Sequence, residues 1–225
     1  MSGPMLLDLF CGAGGAAMGY ARAGFTVVGV DVKPQPRYPF AFVQADALEY
    51  IAAHGHEYDA IHASPPCQGY SRMRHLPWLS DREYPRLLEP VRALLRTADV
   101  PYVIENVEDA PMPNSVVLCG RMFGLPLYRH RRFESSLLLL QPEHERHEHV
   151  IFPGRRLNAR YSANSAGVVG VYGHTSGVKI AHARAAMGID WMVRDELTQA
   201  IPPAYTEFLG HQLMAAVRQT TTPAA

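Results

Sequence analysis

Cys67 stands in the run Ser64-Pro65-Pro66-Cys67-Gln68-Gly69-Tyr70-Ser71. Two prolines stiffen the approach to the thiol, because each ring fixes its backbone φ. A thiol on a rigid loop at a strand end is placed for nucleophilic attack. Arg72, Arg74 and arginines further along are expected to lower its pKa and favour thiolate. A lone cysteine is otherwise a small buried hydrophobe. Cys11 and Cys119 lack such a setting and are expected in or near the core.

Glu105 lies in Val103-Ile104-Glu105-Asn106-Val107, where an apolar run stops at a carboxyl group. Desolvation there raises a carboxyl pKa, so Glu105 is a candidate acid or hydrogen-bond partner near neutrality. The competing reading is a sheet-edge carboxylate. Arg129 and Arg131 flank His130. Alternate positions on a strand share a face, so the two guanidinium groups are expected to point together and clamp a phosphate or a base. The competing reading is a charged edge strand.

The third cluster is Asp8-Leu9-Phe10-Cys11-Gly12-Ala13-Gly14-Gly15. Glycines after a strand let backbone amides approach a ligand, and the following helix presents its positive end. Gly12 to Ala17 also satisfies G-x-G-x-x-A, with Asp31 lying 19 residues beyond Gly12. This region alone does not separate a nicotinamide enzyme from a methyltransferase. Asp31 suits a ribose hydroxyl in either.

The elements that must carry these residues follow from apolar runs and breakers. Strands are predicted over 5–9, 25–30, 40–44, 58–63, 100–104, 116–119 and 133–139. Helices are predicted over 16–23, 47–53, 83–98 and 196–218, with Leu87, Leu88, Val91, Leu94 and Leu95 at helical spacing in the third. Strand and helix alternate, as in a mostly parallel α/β sheet covered by helices on both faces. Ligands bind such sheets beyond the carboxyl ends of the strands, where these clusters fall. From about 141 to 182 the alternation fails, and a small lobe is expected.

The chain has 225 residues, 48% hydrophobic and 19% charged, with zero formal net charge. That suits a single α/β core. Arginine provides all the basic residues except Lys33 and Lys179, and eight arginines face four acids between Arg121 and Arg160. Arginine suits bidentate contacts to phosphate or guanine. There is no signal-peptide pattern and no long apolar run. Three cysteines without metal-type spacing argue for a reducing compartment. His144, His147 and His149 lie within six residues, beside Glu143 and Glu145. No cysteine stands at finger spacing, so a solvated polar loop without metal is expected.

Taken together, these motifs resemble the cytosine-C5 DNA methyltransferase family. The cofactor loop from Asp8, the Pro-Cys loop, Glu105-Asn106-Val107, Arg129-x-Arg131 and Ile201-Pro202-Pro203 occur in the family's order. The resemblance implies a Rossmann-like S-adenosylmethionine-dependent fold with a mostly parallel seven-stranded sheet. The catalytic and cofactor core would span 1–135, a reduced recognition lobe 136–182, and a segment returning to the core 183–225. It implies that Asp8, Phe10, Cys11, Gly12, Gly14, Gly15 and Pro65 line the S-adenosylmethionine site, with Asp31 on ribose and Asp46 on adenine. Cys67 would attack C6 of a flipped cytosine, Glu105 would bind N3, and Arg129 and Arg131 would hold the base and phosphate. Pro66, Gln68, Ser71, Asn106, Arg155 and Arg156 are the expected substrate contacts.

The partner implied is DNA, in the cytoplasm of a bacterial or phage-infected cell, with an endonuclease or second subunit as a further expectation. Leu127 replaces the family's glutamine, and Gln199-Ala200 replaces Gly-Asn. These departures bear on DNA docking more than on methyl chemistry. Two other readings stand beside this one: a same-fold enzyme acting on RNA or a nucleotide, and a catalytically silent nucleic-acid-binding relative. A nicotinamide dehydrogenase leaves Cys67 and Glu105 unexplained.

Overall fold

The computed structural model describes residues 3–71, 84–144, 147, 150–151, 168–172 and 178–221. Its centre is a seven-stranded sheet of β1 (Met5–Leu9), β2 (Thr26–Asp31), β3 (Ala41–Gln44), β4 (Ala60–Ala63), β5 (Tyr102–Asn106), β6 (Ser115–Leu118) and β7 (Arg131–Ser135). The order is β3-β2-β1-β4-β5-β7-β6. The first five strands run parallel, and β7 runs antiparallel between β5 and β6. The α/β reading of the sequence is therefore observed. A short parallel pair, β8 (Val150–Ile151) with β9 (Val168–Val169), lies in the expected lobe.

Alternation along the strands sorts the core into two layers. Leu6, Val103 and Phe133 face α1 (Gly15–Arg22) and α6 (Pro203–Thr221), where Tyr20, Tyr205, Leu209 and Leu213 meet them. Leu7, Leu9, Ile61 and Ile104 face α2 (Ala47–His54) and α3 (Leu88–Ala98). Gly19 lets α1 and α6 touch. A Cβ there would lie 2.1 Å from Thr206 Oγ1 and 2.2 Å from the Pro203 carbonyl oxygen. A third cluster joins Ala13 and Leu127 to α4 (Ile180–Met187) and α5 (Arg194–Gln199). These small helices therefore pack against the loop after β1.

Several boundaries differ from the sequence reading. Of the helical pattern read over 196–218, the helix expected from Pro203 to Arg218 is observed as α6, and the residues before Pro202 belong to a separate short helix, α5. The helix α4 was not anticipated. Glu105 and Asn106 end β5 rather than following it, since β5 pairs with β7 through Asn106↔Arg132.

Candidate active site

The parallel strands deliver their carboxyl ends to one edge of the sheet, and β7 begins at that same edge because it runs the other way. Glu105 faces Phe133 across the β5–β7 register, and Asn106 faces Arg132. The start of β7 thereby falls beside the end of β5. There the Arg131 Nε donates to Glu105 Oε1 at 2.9 Å, with both side chains nearly buried. Arg131 also donates from Nη1 to the His130 carbonyl oxygen at 2.8 Å.

Cys67 is half-buried, in a turn where the amides of Tyr70 and Ser71 both donate to its carbonyl oxygen. Asn106 is fully buried and donates from Nδ2 to the Pro65 carbonyl oxygen at 3.0 Å. Its Oδ1 accepts from the Val107 amide. Asn106 thus braces the Pro-Pro-Cys loop from beneath. Tyr70 ties down the far side of the turn by accepting from the Leu88 amide at 3.3 Å.

The electrostatics also correct the sequence reading. Burial pushes the Cys67 thiol up, the Glu105 carboxylate pushes it further, and Arg131 and Arg129 only partly offset this. The net direction in the free protein is therefore toward thiol, not thiolate. Arg72 and Arg74 lie outside the described residues, as do Arg155 and Arg156. Burial likewise pushes Glu105 above the usual carboxylate range, against the pull of Arg131, Arg129 and Ser64.

Arg129 does not share a strand face with Arg131, because β7 begins only at Arg131. Arg129 is fully buried and donates to the carbonyl oxygens of Val171 at 2.7 Å and Thr198 at 2.9 Å. It ties the segment after β9 and the helix α5 to the sheet. Its Nε is buried without a hydrogen-bond partner among the described residues. Burial lowers it to about 9, which leaves it charged at neutral pH.

The loop after β1 is shaped by its backbone. Phe10, Gly12 and Gly14 all have positive φ, at 57°, 49° and 83°. A non-glycine residue held there carries strain that its surroundings must hold in place, a feature concentrated at functional sites. A Cβ on Gly12 would meet no atom within 4 Å, so open space lies over this turn. Asp31 closes the loop, accepting from the Gly12 amide at 3.1 Å and the Lys33 amide at 2.9 Å. Trp191 reaches the same loop and donates to the Ala13 carbonyl oxygen at 2.8 Å. Asp46 caps α2, accepting from the Leu48 and Glu49 amides.

Asp8 and Cys11, both expected at the cofactor loop, are buried beneath it. Asp8 is fully buried beneath Tyr38, whose hydroxyl donates to it at 3.4 Å. Burial raises its carboxyl to about 8. Cys11 is buried too, and its amide donates to the Val30 carbonyl oxygen. Both support the loop from below. Pro65 is buried, Pro66 half-buried and Gln68 exposed at the Cys67 turn.

Sequence reasoning missed a buried chain of hydrogen bonds behind Glu105. Tyr20 Oη lies 2.9 Å from His62 Nδ1, and His62 Nε2 lies 2.9 Å from Ser64 Oγ. Ser64 bonds in turn to Glu105. A carboxylate only accepts, so Ser64 donates to it and must accept from His62 Nε2–H. Nδ1 is then the acceptor, and Tyr20 donates. Burial holds His62 neutral, lowering it to about 3. Alternation in β4 was the available signal, since it turns His62 to the face occupied by α1.

The family model for C-5 cytosine-specific DNA methylase matches residues 5–118, and the chain belongs to that family. It is 30% identical over 154 residues to the type II methyltransferase M.XorII of Xanthomonas oryzae pv. oryzae, covering 61% of this chain and 32% of that protein. With M.FnuDI of Fusobacterium nucleatum it shares 27% identity over 110 residues, 46% of this chain and 32% of the relative. The chain thus spans about a third of the length of these curated relatives.

Solved structures share the fold. One is a prophage-encoded protein of E. coli assigned as a DNA modification methyltransferase, with TM-score 0.66, 15% identity and 96% and 99% of the two chains covered. Another is the S. pombe Dnmt2 methyltransferase, with TM-score 0.58, 12% identity and coverage of 97% and 99%. The fold is thus shared with these two methyltransferases.

Proposed function

We propose that this chain transfers a methyl group from S-adenosylmethionine to carbon 5 of cytosine in DNA, through a covalent bond to Cys67. The observation that carries this reading is the meeting of a half-buried Cys67 with a buried Glu105 held by Arg131, in a chain of the cytosine-C5 family. The loop after β1 fits the cofactor. The space over Gly12, the left-handed Phe10 and the Asp31 carboxylate form a cradle beside the thiol's edge of the sheet. When bound, S-adenosylmethionine supplies an electrophilic methyl group.

Carbon 5 of cytosine is a weak nucleophile until Cys67, its thiol proton passed to solvent, adds as a thiolate at C6. The pair of electrons from sulfur then makes C5 enamine-like, and it takes the methyl. Glu105 carries a proton to N3 and stabilises the adduct. Loss of the C5 proton to a base expels Cys67 and restores the ring. Placing Glu105 beside Cys67 links the two steps. While Glu105 is ionised it opposes the thiolate, and protonation against N3 removes that opposition.

Arg131 orients the carboxyl group, and Asn106 and Pro65 hold the thiol's loop. Because the thiol must reach a ring carbon, the cytosine leaves the base stack. Residues 136–182 serve as a reduced recognition lobe, and the setting is the cytoplasm of a bacterial or phage-infected cell.

Expression in a methylation-free host, followed by bisulfite sequencing, tests this reading. Cytosines protected within a short motif, and unprotected with Cys67→Ala, are the expected result. Cofactor binding with no protected DNA points instead to RNA or a nucleotide as substrate. No cofactor binding points to a silent binding relative. Trapping of a covalent complex on 5-fluorocytosine DNA tests the thiol directly.

A further inference from the structure

Cys119, His130, His144 and His147 come together at the active edge of the sheet, and each offers one ligand atom within 4.8 Å of all the others. Cys119 Sγ lies 3.4 Å from His147 Nε2, and His130 Nε2 lies 3.2 Å from His144 Nε2. Two nitrogens bound to a tetrahedral zinc ion stand about 3.3 Å apart, and a nitrogen and a sulfur about 3.5 Å apart. Two edges of the cluster already have those lengths.

The residues are far apart in sequence, and the fold explains why they meet. The β6–β7 register pairs Leu118 with Arg131. Continued by one residue, it sets Cys119 opposite His130, and directly opposed residues share a face. The chain then returns after β7 and Leu139 to lay His144 and His147 over them, with the two rings 4.8 Å apart. The Tyr128 ring packs edge-on against His130 and His147 and closes one side. The Nδ1 atoms of His130 and His147 are buried without partners among the described residues, so the polar engagement of these rings is on the converging side.

Without an ion, this packing is poorly balanced. Two Nε2 atoms facing each other share at most one proton, and the thiol's contact to the Leu127 carbonyl oxygen is long, at 3.8 Å. An ion accepts all four lone pairs at once.

We propose that Cys119, His130, His144 and His147 bind a structural zinc ion that staples the root of the 136–182 lobe to the sheet. Four protein ligands leave no open coordination position, so the ion is not itself a catalyst. Coordination replaces the Cys119 thiol proton with the metal and takes the imidazoles neutral, releasing a single proton. The staple bears on the active edge because His130 precedes Arg131 and its carbonyl oxygen accepts from Arg131 Nη1. The sequence spacing hid the site: His144 and His147 are neighbours, but their thiol partner lies 25 residues before His144.

Elemental analysis of the full chain, purified without a polyhistidine tag from zinc-supplemented culture, tests this. About one zinc per chain is expected, falling at least tenfold in Cys119→Ser, His144→Ala and His147→Ala and persisting in Cys67→Ser. Replacement by cobalt should give a tetrahedral visible spectrum with a thiolate-to-metal band that Cys119→Ser abolishes. If Cys119→Ser does not fold, the two histidine variants decide, since they lie on a loop outside the sheet. A metal-free protein that gives no tetrahedral cobalt spectrum overturns the proposal, as does zinc retained in both histidine variants. None of these readouts depends on methyl transfer, so they stand apart from the proposed activity.

Discussion

Arg131 Nε donates to Glu105 Oε1 at 2.9 Å, across the point where an antiparallel strand starts beside the end of a parallel one. The ion pair sits at the rim of the core, and burial makes the loss of either partner costly. It also holds a carboxyl group whose ordinary value is already raised by burial. Glu105→Gln keeps the shape but carries no transferable proton. It should lower methyl transfer by about 10²–10⁴-fold, with cofactor affinity nearly unchanged. Single-turnover kinetics with calorimetric cofactor binding checks both halves.

The thiol's pKa should respond to its neighbours in opposite directions. Glu105 raises it and Arg131 lowers it. In the pH profile of iodoacetamide alkylation at Cys67, Glu105→Gln should move the rising limb to lower pH, and Arg131→Met to higher pH. Shifts of the same sign in both variants would contradict the electrostatics described. The wild-type limb should lie above that of an exposed cysteine.

Asp8 makes stability depend on pH with a definite sign. Its folded value of about 8 lies above the ordinary value of 3.8. The folded state therefore binds its proton more tightly, and the contribution is complete below about pH 4. It is lost as pH rises toward 8, at up to about 1.4 kcal/mol per pH unit. Asp8→Asn should flatten the fall in unfolding free energy between these limits, measured by urea denaturation at several pH values.

The chain of Tyr20, His62 and Ser64 should be felt in stability and in activity. Tyr20→Phe removes the donor to a buried His62 Nδ1. An unsatisfied buried acceptor costs about 1–3 kcal/mol. The same variant should lower kcat more than it changes KM for DNA, because Ser64 loses its fixed orientation toward Glu105. Unfolding curves and steady-state kinetics on one preparation separate the two effects.

Gly19→Ala tests the seam between α1 and α6. The added methyl meets Thr206 Oγ1 and the Pro203 carbonyl oxygen well inside contact distance. Overpacking of this kind costs about 1–3 kcal/mol. Thermal unfolding should report the loss.

The parallel strands and the alternation of strand with helix were legible along the chain, because a buried parallel strand must be a short apolar run closed by a breaker. The residues Cys67 and Glu105 were legible for the same reason, since they stand where such runs stop at a strand's carboxyl end. Their mutual approach was not. It depends on β4 and β5 being neighbours and on β7 inserting antiparallel, which is a matter of sheet order. The same insertion separated the roles of Arg129 and Arg131, since only one of them lies on the strand.

Local patterning determined which residues are apolar, which turn and which can react, because periods of two and of 3.6 are properties of a chain segment. Tertiary structure alone decided that Asn106 braces Pro65, that His62 stands behind Glu105, and that Cys119 meets three histidines. Those pairings join residues from 11 to more than 40 positions apart, and no local period encodes which strand lies beside which.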